Sequence, residues 1–188
     1  MLKKYHLLFS FFATLLLINC GGSQTATKLD ESEIPDWYLN KPSDPNYFYA
    51  PASAVSKDLE LSINKASTDA RAEIGRMIEL KLSNLQKKFD EEVGLPDNSQ
   101  LLQQFTQATK IVVNTELQGS NIIKKKVGKE GTGFRAYVLA EYPIGAASQA
   151  LNKKLSKQQE LYTRFRASET FKEMDEEIKK YEEWKKNQ

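Results

Sequence analysis

Few side chains in this sequence could carry covalent chemistry, and the most informative of them is a single thiol. Cys20 is the only cysteine, and it closely follows the uncharged apolar run from Leu7 to Ile18, itself preceded by Lys3 and Lys4. The only histidine, His6, lies in the same leader. Once residues 1–19 are removed and Cys20 is capped, the chain has neither imidazole nor free thiol. Ser-His-Asp and Cys-His nucleophilic sites, His-ligated zinc and acid-base catalysis by imidazole then have nothing to work with. Carboxylates such as Asp36, Glu116 and Glu141 are the remaining acid-base candidates. They are scattered along the chain, whereas glycoside chemistry needs two carboxyl groups at a set separation. P-loop, GxGxxG and EF-hand patterns are absent from the sequence. The expectation is no catalytic residue, no cofactor and no metal ligand.

What positions Cys20 is the leader. Its basic start and apolar run have the outline of a signal peptide, and the run falls short of the ~20 apolar residues that a spanning helix needs. Leu17-Ile18-Asn19-Cys20, turning abruptly to Gly21-Gly22-Ser23-Gln24-Thr25, resembles a bacterial lipobox, with Asn19 where Gly, Ala or Ser is usual. Such a signal implies that the thiol receives a diacylglyceryl group, that cleavage falls before it, and that the new amino terminus is acylated. Several acyl chains, at about 0.8 kcal/mol per buried CH₂, suffice for stable anchoring. Gly21 stands where inner-membrane retention signals typically carry aspartate. The outer membrane is therefore the expected location, with its periplasmic and surface faces both open.

Removing residues 1–19 takes away Lys3 and Lys4, which leaves 25 of the 27 basic side chains against 25 acidic ones. A neutral chain without a clustered basic arm is not expected to bind nucleic acid. Its length suits one domain stabilised by packing, and with one cysteine there is no disulfide to staple it.

Residues 20–33 are small and polar and read as a tether. Pro35, Pro42 and Pro45 predict an extended, non-helical arm, with Trp37 either pinning it to the core or gripping a partner. Tyr47-Phe48-Tyr49-Ala50 reads as a first strand, with Pro51 at an edge or bend. Ser56 or Asp58 can cap a long helix from Leu59, whose stripe Ile63, Ala66, Ala70, Ile74, Met77, Leu82, Leu85 and Phe89 ends at Gly94-Leu95-Pro96. Asp69, Arg71, Glu73 and Arg76 would form its solvated face. A shorter helix capped by Asp97, Asn98 or Ser99 carries Phe105, Ala108 and Val112, with Ile111-Val112-Val113 weakening its end. Leu117 to Val127 and Phe134 to Pro143 predict a hairpin turning through residues 128–133. Phe134, Ala136, Val138, Ala140 and Tyr142 should face the helices, and Lys124-Lys125-Lys126 reads as a solvated, edge-protecting run rather than an acidic-ligand patch. One long helix is expected from Ile144 to Trp184. Its seam Phe171, Met174, Ile178 and Tyr181 leaves two readings open, a partner-docking tail or a lid folded back on the domain.

The predicted fold class is therefore α+β: a small antiparallel sheet against a long and a short helix, then a C-terminal helix. Pro35-Asp36-Trp37, Tyr47-Phe48-Tyr49-Ala50 leading to Ala52 and Ala54, the helix bearing Ala66, Asp69, Ala70, Arg71 and Ala72, and the strand Tyr137-Val138-Leu139 to Pro143 occur in that order behind the leader. In this the chain resembles the LPP-twenty lipoproteins, small bacterial envelope proteins, over residues 34–145. Pro51 stands where a glycine is usual in that family. The resemblance implies an α+β domain at the outer membrane, no known catalytic residues, and in some members a place in flagellar or other envelope assemblies.

The division expected is a removed signal peptide (1–19), a lipid-anchored tether (20–33), the domain (34–145) and a charged C-terminal helix (146–188). The function expected is a non-enzymatic structural or protein-interaction module, held to the membrane through Cys20 and joined to a protein partner or to itself. The alternative is a binding protein for a small envelope ligand, a lipid or glycan fragment, between the sheet and the long helix.

Overall fold

In the computed structural model of the chain, residues 34–94, 96, 99–116 and 119–187 are described. The expected leader, Cys20 and tether lie outside them. Residues 32–188 make one compact unit.

A strand that buries successive residues must lie inside a sheet and be covered on both faces. β3 (Gly133–Pro143) does this, since Ala136, Tyr137, Val138, Leu139, Ala140 and Tyr142 are all buried. It is the centre of a three-stranded antiparallel sheet, flanked by β1 (Tyr47–Ser56) and β2 (Asn121–Glu130). β1 runs unbroken from Tyr47 opposite Pro143 to Ser56 opposite Phe134. Pro51 sits within it, opposite Leu139, and an edge strand tolerates its missing N–H. The hairpin turn is tighter than expected. Gly128 stays in the ladder opposite Arg135, and the chain reverses at Gly131-Thr132, where Gly131 takes a left-handed φ of 57°. β2 slips register between Ile122 and Lys124.

The N-terminal arm contains a one-turn helix, α1 (Asp36–Leu39), which corrects the expectation of a wholly extended segment. Pro35 takes the cap position just before it, where its lack of an N–H costs nothing. Tyr38 ties the arm down. Its ring meets Tyr137 edge-on at 5.1 Å, and its hydroxyl lies 3.3 Å from Ser53 Oγ.

α2 (Leu59–Val93) starts where Asp58 Oδ1 accepts from Leu61 N at 2.7 Å and stops at Gly94, in the left-handed conformation. Its buried stripe is Ala66, Ala70, Ile74, Ile78, Leu82, Leu85 and Phe89. The small members let the sheet approach, and the larger ones pack among the other helices. α3 (Gln100–Glu116) begins with Ser99 Oγ accepting from Leu102 N. It continues through the β-branched run that was expected to weaken it, because burial of Val112 outweighs a propensity cost of tenths of a kcal/mol.

The single helix expected from Ile144 to Trp184 is instead three: α4 (Ile144–Leu155), α5 (Gln159–Arg166) and α6 (Glu169–Lys186). At the second corner Ser168 donates to Phe165 O at 2.6 Å and accepts from Phe171 N at 3.0 Å, ending one helix and capping the next. That corner is where the apolar phase breaks between Phe165 and Phe171. Each helix turns its apolar residues inward: Leu151 and Leu155, Leu161 and Phe165, Met174 and Ile178. Phe165 stands edge-on to Phe89, Phe105 and Phe171 at 5.3–5.5 Å, joining α2, α3, α5 and α6.

Candidate functional site

The C-terminal seam is taken up by the fold itself. Met174 and Ile178 are buried, while Phe171 and Tyr181 are half-buried. Of the two open readings the structure has the folded-back lid: Met174 and Ile178 are taken up by the core, while Phe171 and Tyr181 keep part of their rings exposed. The anchoring is dense. The Glu92 carboxylate accepts from the N–H groups of Glu169 and Thr170 at the start of α6, and those donors hold its pKa below the usual carboxylate range. Lys81 pairs with Glu177 and Lys88 with Glu173, each at 2.7 Å. Ser148 Oγ donates to Glu177 Oε2 at 2.9 Å, and Gln149 Nε2 donates to Glu182. Gly145 lets the helices touch there, because a Cβ on it would lie 2.4 Å from Tyr181 Cβ.

Docking of α6 forms two features. The first is a groove of about 510 Å³ between α2 and α6, with Phe48, Met77, Leu85, Ile144 and Met174 among its apolar lining. Leu80 lies on its rim and is 64% exposed, outside the buried stripe of α2. Lys81, Lys88, Glu173 and Glu177 edge it, already paired across the two helices.

The second is an aromatic row. Tyr49 stacks near Tyr47 with ring centres 6.0 Å apart, Trp184 meets Tyr47 edge-on at 5.9 Å, and Tyr181 stacks on Trp184 at 5.8 Å. The two tyrosines lie on the sheet face turned away from α2, since Phe48 and Ala50 between and beside them pack into the core. Glu141 stands directly across from Tyr49 on β3. Partial burial raises the pKa of Tyr47, Tyr49 and Glu141, and the negative charge of Glu141 and Asp44 raises the two tyrosines further.

The carboxylates singled out in the sequence are not brought together. Asp36 accepts from Asn40 Nδ2 at 2.8 Å in α1. Glu116 accepts from Tyr142 O–H at 2.6 Å on the helix side of the sheet. This contact and burial push the Tyr142 phenol far above its ordinary range. Glu141, the next residue along β3, points to the opposite face. Trp37 is half-buried in α1, and Lys124, Lys125 and Lys126 are exposed along the edge strand β2. Among the described residues no three His, Cys, Asp or Glu side chains are placed to hold a metal ion, and no helix is long and apolar enough to cross a membrane.

The groove and the row were not read from the sequence. Tyr47 and Tyr49 carried a signal only as aromatic residues two apart in a strand, hence on one face. Nothing local links them to Trp184. No family model matches the chain, and no curated protein does.

Proposed function

We propose that this chain is a non-enzymatic, lipid-anchored protein of the LPP-twenty kind, working at the bacterial outer membrane as a protein-interaction module in an envelope assembly. The observation that carries the anchoring is Leu17-Ile18-Asn19-Cys20 behind an apolar leader. The lipid at Cys20 would hold the protein to the bilayer, and residues 20–33 would serve as the tether to the domain. The interaction role is supported by the aromatic row, where partly exposed rings of β1 and α6 form one continuous surface. Rings of this kind supply large contact area at low entropic cost.

Feeding labelled fatty acid to expressing cells tests the anchor. The protein should carry label and fractionate with membranes, and Cys20→Ala should abolish both. Label retained by Cys20→Ala, or absent from the native chain, would overturn the anchoring.

A second reading, a carrier of a small apolar envelope ligand, is favoured by the groove between α2 and α6, whose volume falls in the range of small-molecule sites. Dodecanoate titration of the native protein and of Leu80→Glu distinguishes it. Saturable binding lost in the variant supports a carrier, and no binding to the native chain removes it.

A further inference from the structure

The aromatic side chains of this protein differ in how their faces are served by cations. Arg135 lies over Tyr137, Arg166 over both Tyr162 and Phe171, and Lys185 over Tyr181, all within 6.0 Å of the ring centre. Tyr47 and Tyr49 have no such cation among the described residues, although the Glu141 and Asp44 carboxylates stand close enough to act on both. Lys41 donates from its ammonium to the Tyr49 carbonyl at 3.5 Å. The Asp44 carboxylate accepts from Asn46, through its backbone N–H and side-chain amide. The Glu141 side chain is half-buried, and among the described residues its carboxylate has neither an ion pair nor a hydrogen bond. A carboxylate in that position carries a desolvation cost that no cation among the described residues offsets. The contrast with Glu130 is direct. That carboxylate, on β2, is paired with Arg135, and the pairing draws its pKa down.

We propose that the Tyr47 and Tyr49 face of β1, with Glu141 and Asp44 beside it, is a docking surface for a lysine or arginine side chain of a partner protein. The negative ring faces attract a cation, and the unpaired Glu141 carboxylate supplies a charge-assisted hydrogen-bond acceptor. The partner's basic side chain thus completes a pairing that the domain makes for its other aromatic-carboxylate cluster with Arg135. Trp184, edge-on to Tyr47, closes one side of the surface and ties it to the docking of α6. This inference rests on the interaction-module reading and adds the place and the chemistry of the contact.

The test uses the full chain in non-ionic detergent with labelled tyrosine rings and glutamate carboxyls. It is titrated with a capped Gly-Arg-Gly-Arg-Gly peptide and with the same peptide carrying citrulline. The arginine peptide should shift the Tyr47, Tyr49 and Glu141 signals. Glu141→Gln, which keeps size and fold, should weaken it about five- to tenfold, as should the citrulline substitution. Glu160→Gln on α5 should leave binding unchanged. Equal binding of the citrulline peptide, an unaffected Glu141→Gln, or tighter competing binding of tetramethylammonium would overturn a basic protein partner. Photo-crosslinkers placed in cells at residue 49 and at residue 80 separate the two levels of the argument. Adducts at 80 with none at 49 overturn this surface and leave an interaction module standing. Adducts at neither position count against the module itself.

Discussion

Replacing Gly145 by alanine would report whether α6 is seated in solution as it is here. The added methyl group would meet Tyr181 Cβ at 2.4 Å, Glu177 O at 2.7 Å and Tyr181 Cγ at 3.1 Å. Carbon contacts settle at about 3.5–4.0 Å, so α6 must retreat by roughly 1 Å. Shortening the tyrosine to leucine would not help, because the nearest obstacles are a Cβ and a main-chain carbonyl. Retreat would loosen Met174 and Ile178 and stretch the hydrogen bond from Ser148 to Glu177. Overpacking of this kind costs about 1–3 kcal/mol. The opposing gain is the helix preference of alanine over glycine, at most about 1 kcal/mol and smaller in a first turn. The net expectation is a loss of about 1–2 kcal/mol, read as a lower urea midpoint with an unchanged slope. With α6 free of α4, only the propensity gain would remain. A variant as stable as the native chain, or more so, would refute the folded-back arrangement and return Phe171, Met174, Ile178 and Tyr181 to the role of a docking seam.

Phe165→Ala should cost about 3–5 kcal/mol in urea unfolding, since the ring joins four helices; a loss under about 1 kcal/mol would mean that the aromatic cluster is not formed. Asp58→Ala should cost about 1 kcal/mol by removing the cap on Leu61 N, whereas Asp58→Asn should be nearly neutral; equal losses in both would point away from capping. For Glu141, burial raises the folded-state pKa above the unfolded one, so its contribution is fully favourable below the unfolded value and is lost as pH rises through the folded one. Glu141→Gln should therefore raise the melting temperature near pH 7 and leave it unchanged near about pH 3, and an equal shift at both would contradict that cause.

The parts of the fold legible in the sequence are those whose period is set by one buried face of one element. The stripe from Ala66 to Phe89 repeats with the helical period because α2 turns one face to the core, against the sheet and then against the other helices. The alternation Ala136, Val138, Ala140 and Tyr142 survives because β3 faces α2. Reading fails where a second contact intrudes. Tyr137 and Leu139 are buried on the other face of β3, which an alternating pattern assigns to solvent. The corners after Leu155 and Arg166 carry neither glycine nor proline, and nothing local forces a turn. They form because breaking the helix lets Leu161, Phe165, Met174 and Ile178 reach one core that a straight rod could not touch.

The aromatic row is illegible for the same reason, carried one step further. Tyr47 and Trp184 lie almost at opposite ends of the described chain, and they meet only because α6 doubles back over α4 to the start of β1. The backbone N–H of Ile144, bonded to Asn46 O at 2.9 Å, holds the first turn of α4 beside the start of β1. The surface beside Glu141 is therefore conditional on the seating of α6. A change at Gly145 that shifts α6 should withdraw Trp184 from Tyr47 without touching any residue of the row. Loss of arginine-peptide binding in Gly145→Ala, with the domain still folded, would show that the C-terminal helix builds the docking surface from a distance. Undiminished binding would confine the site to the two tyrosines and Glu141.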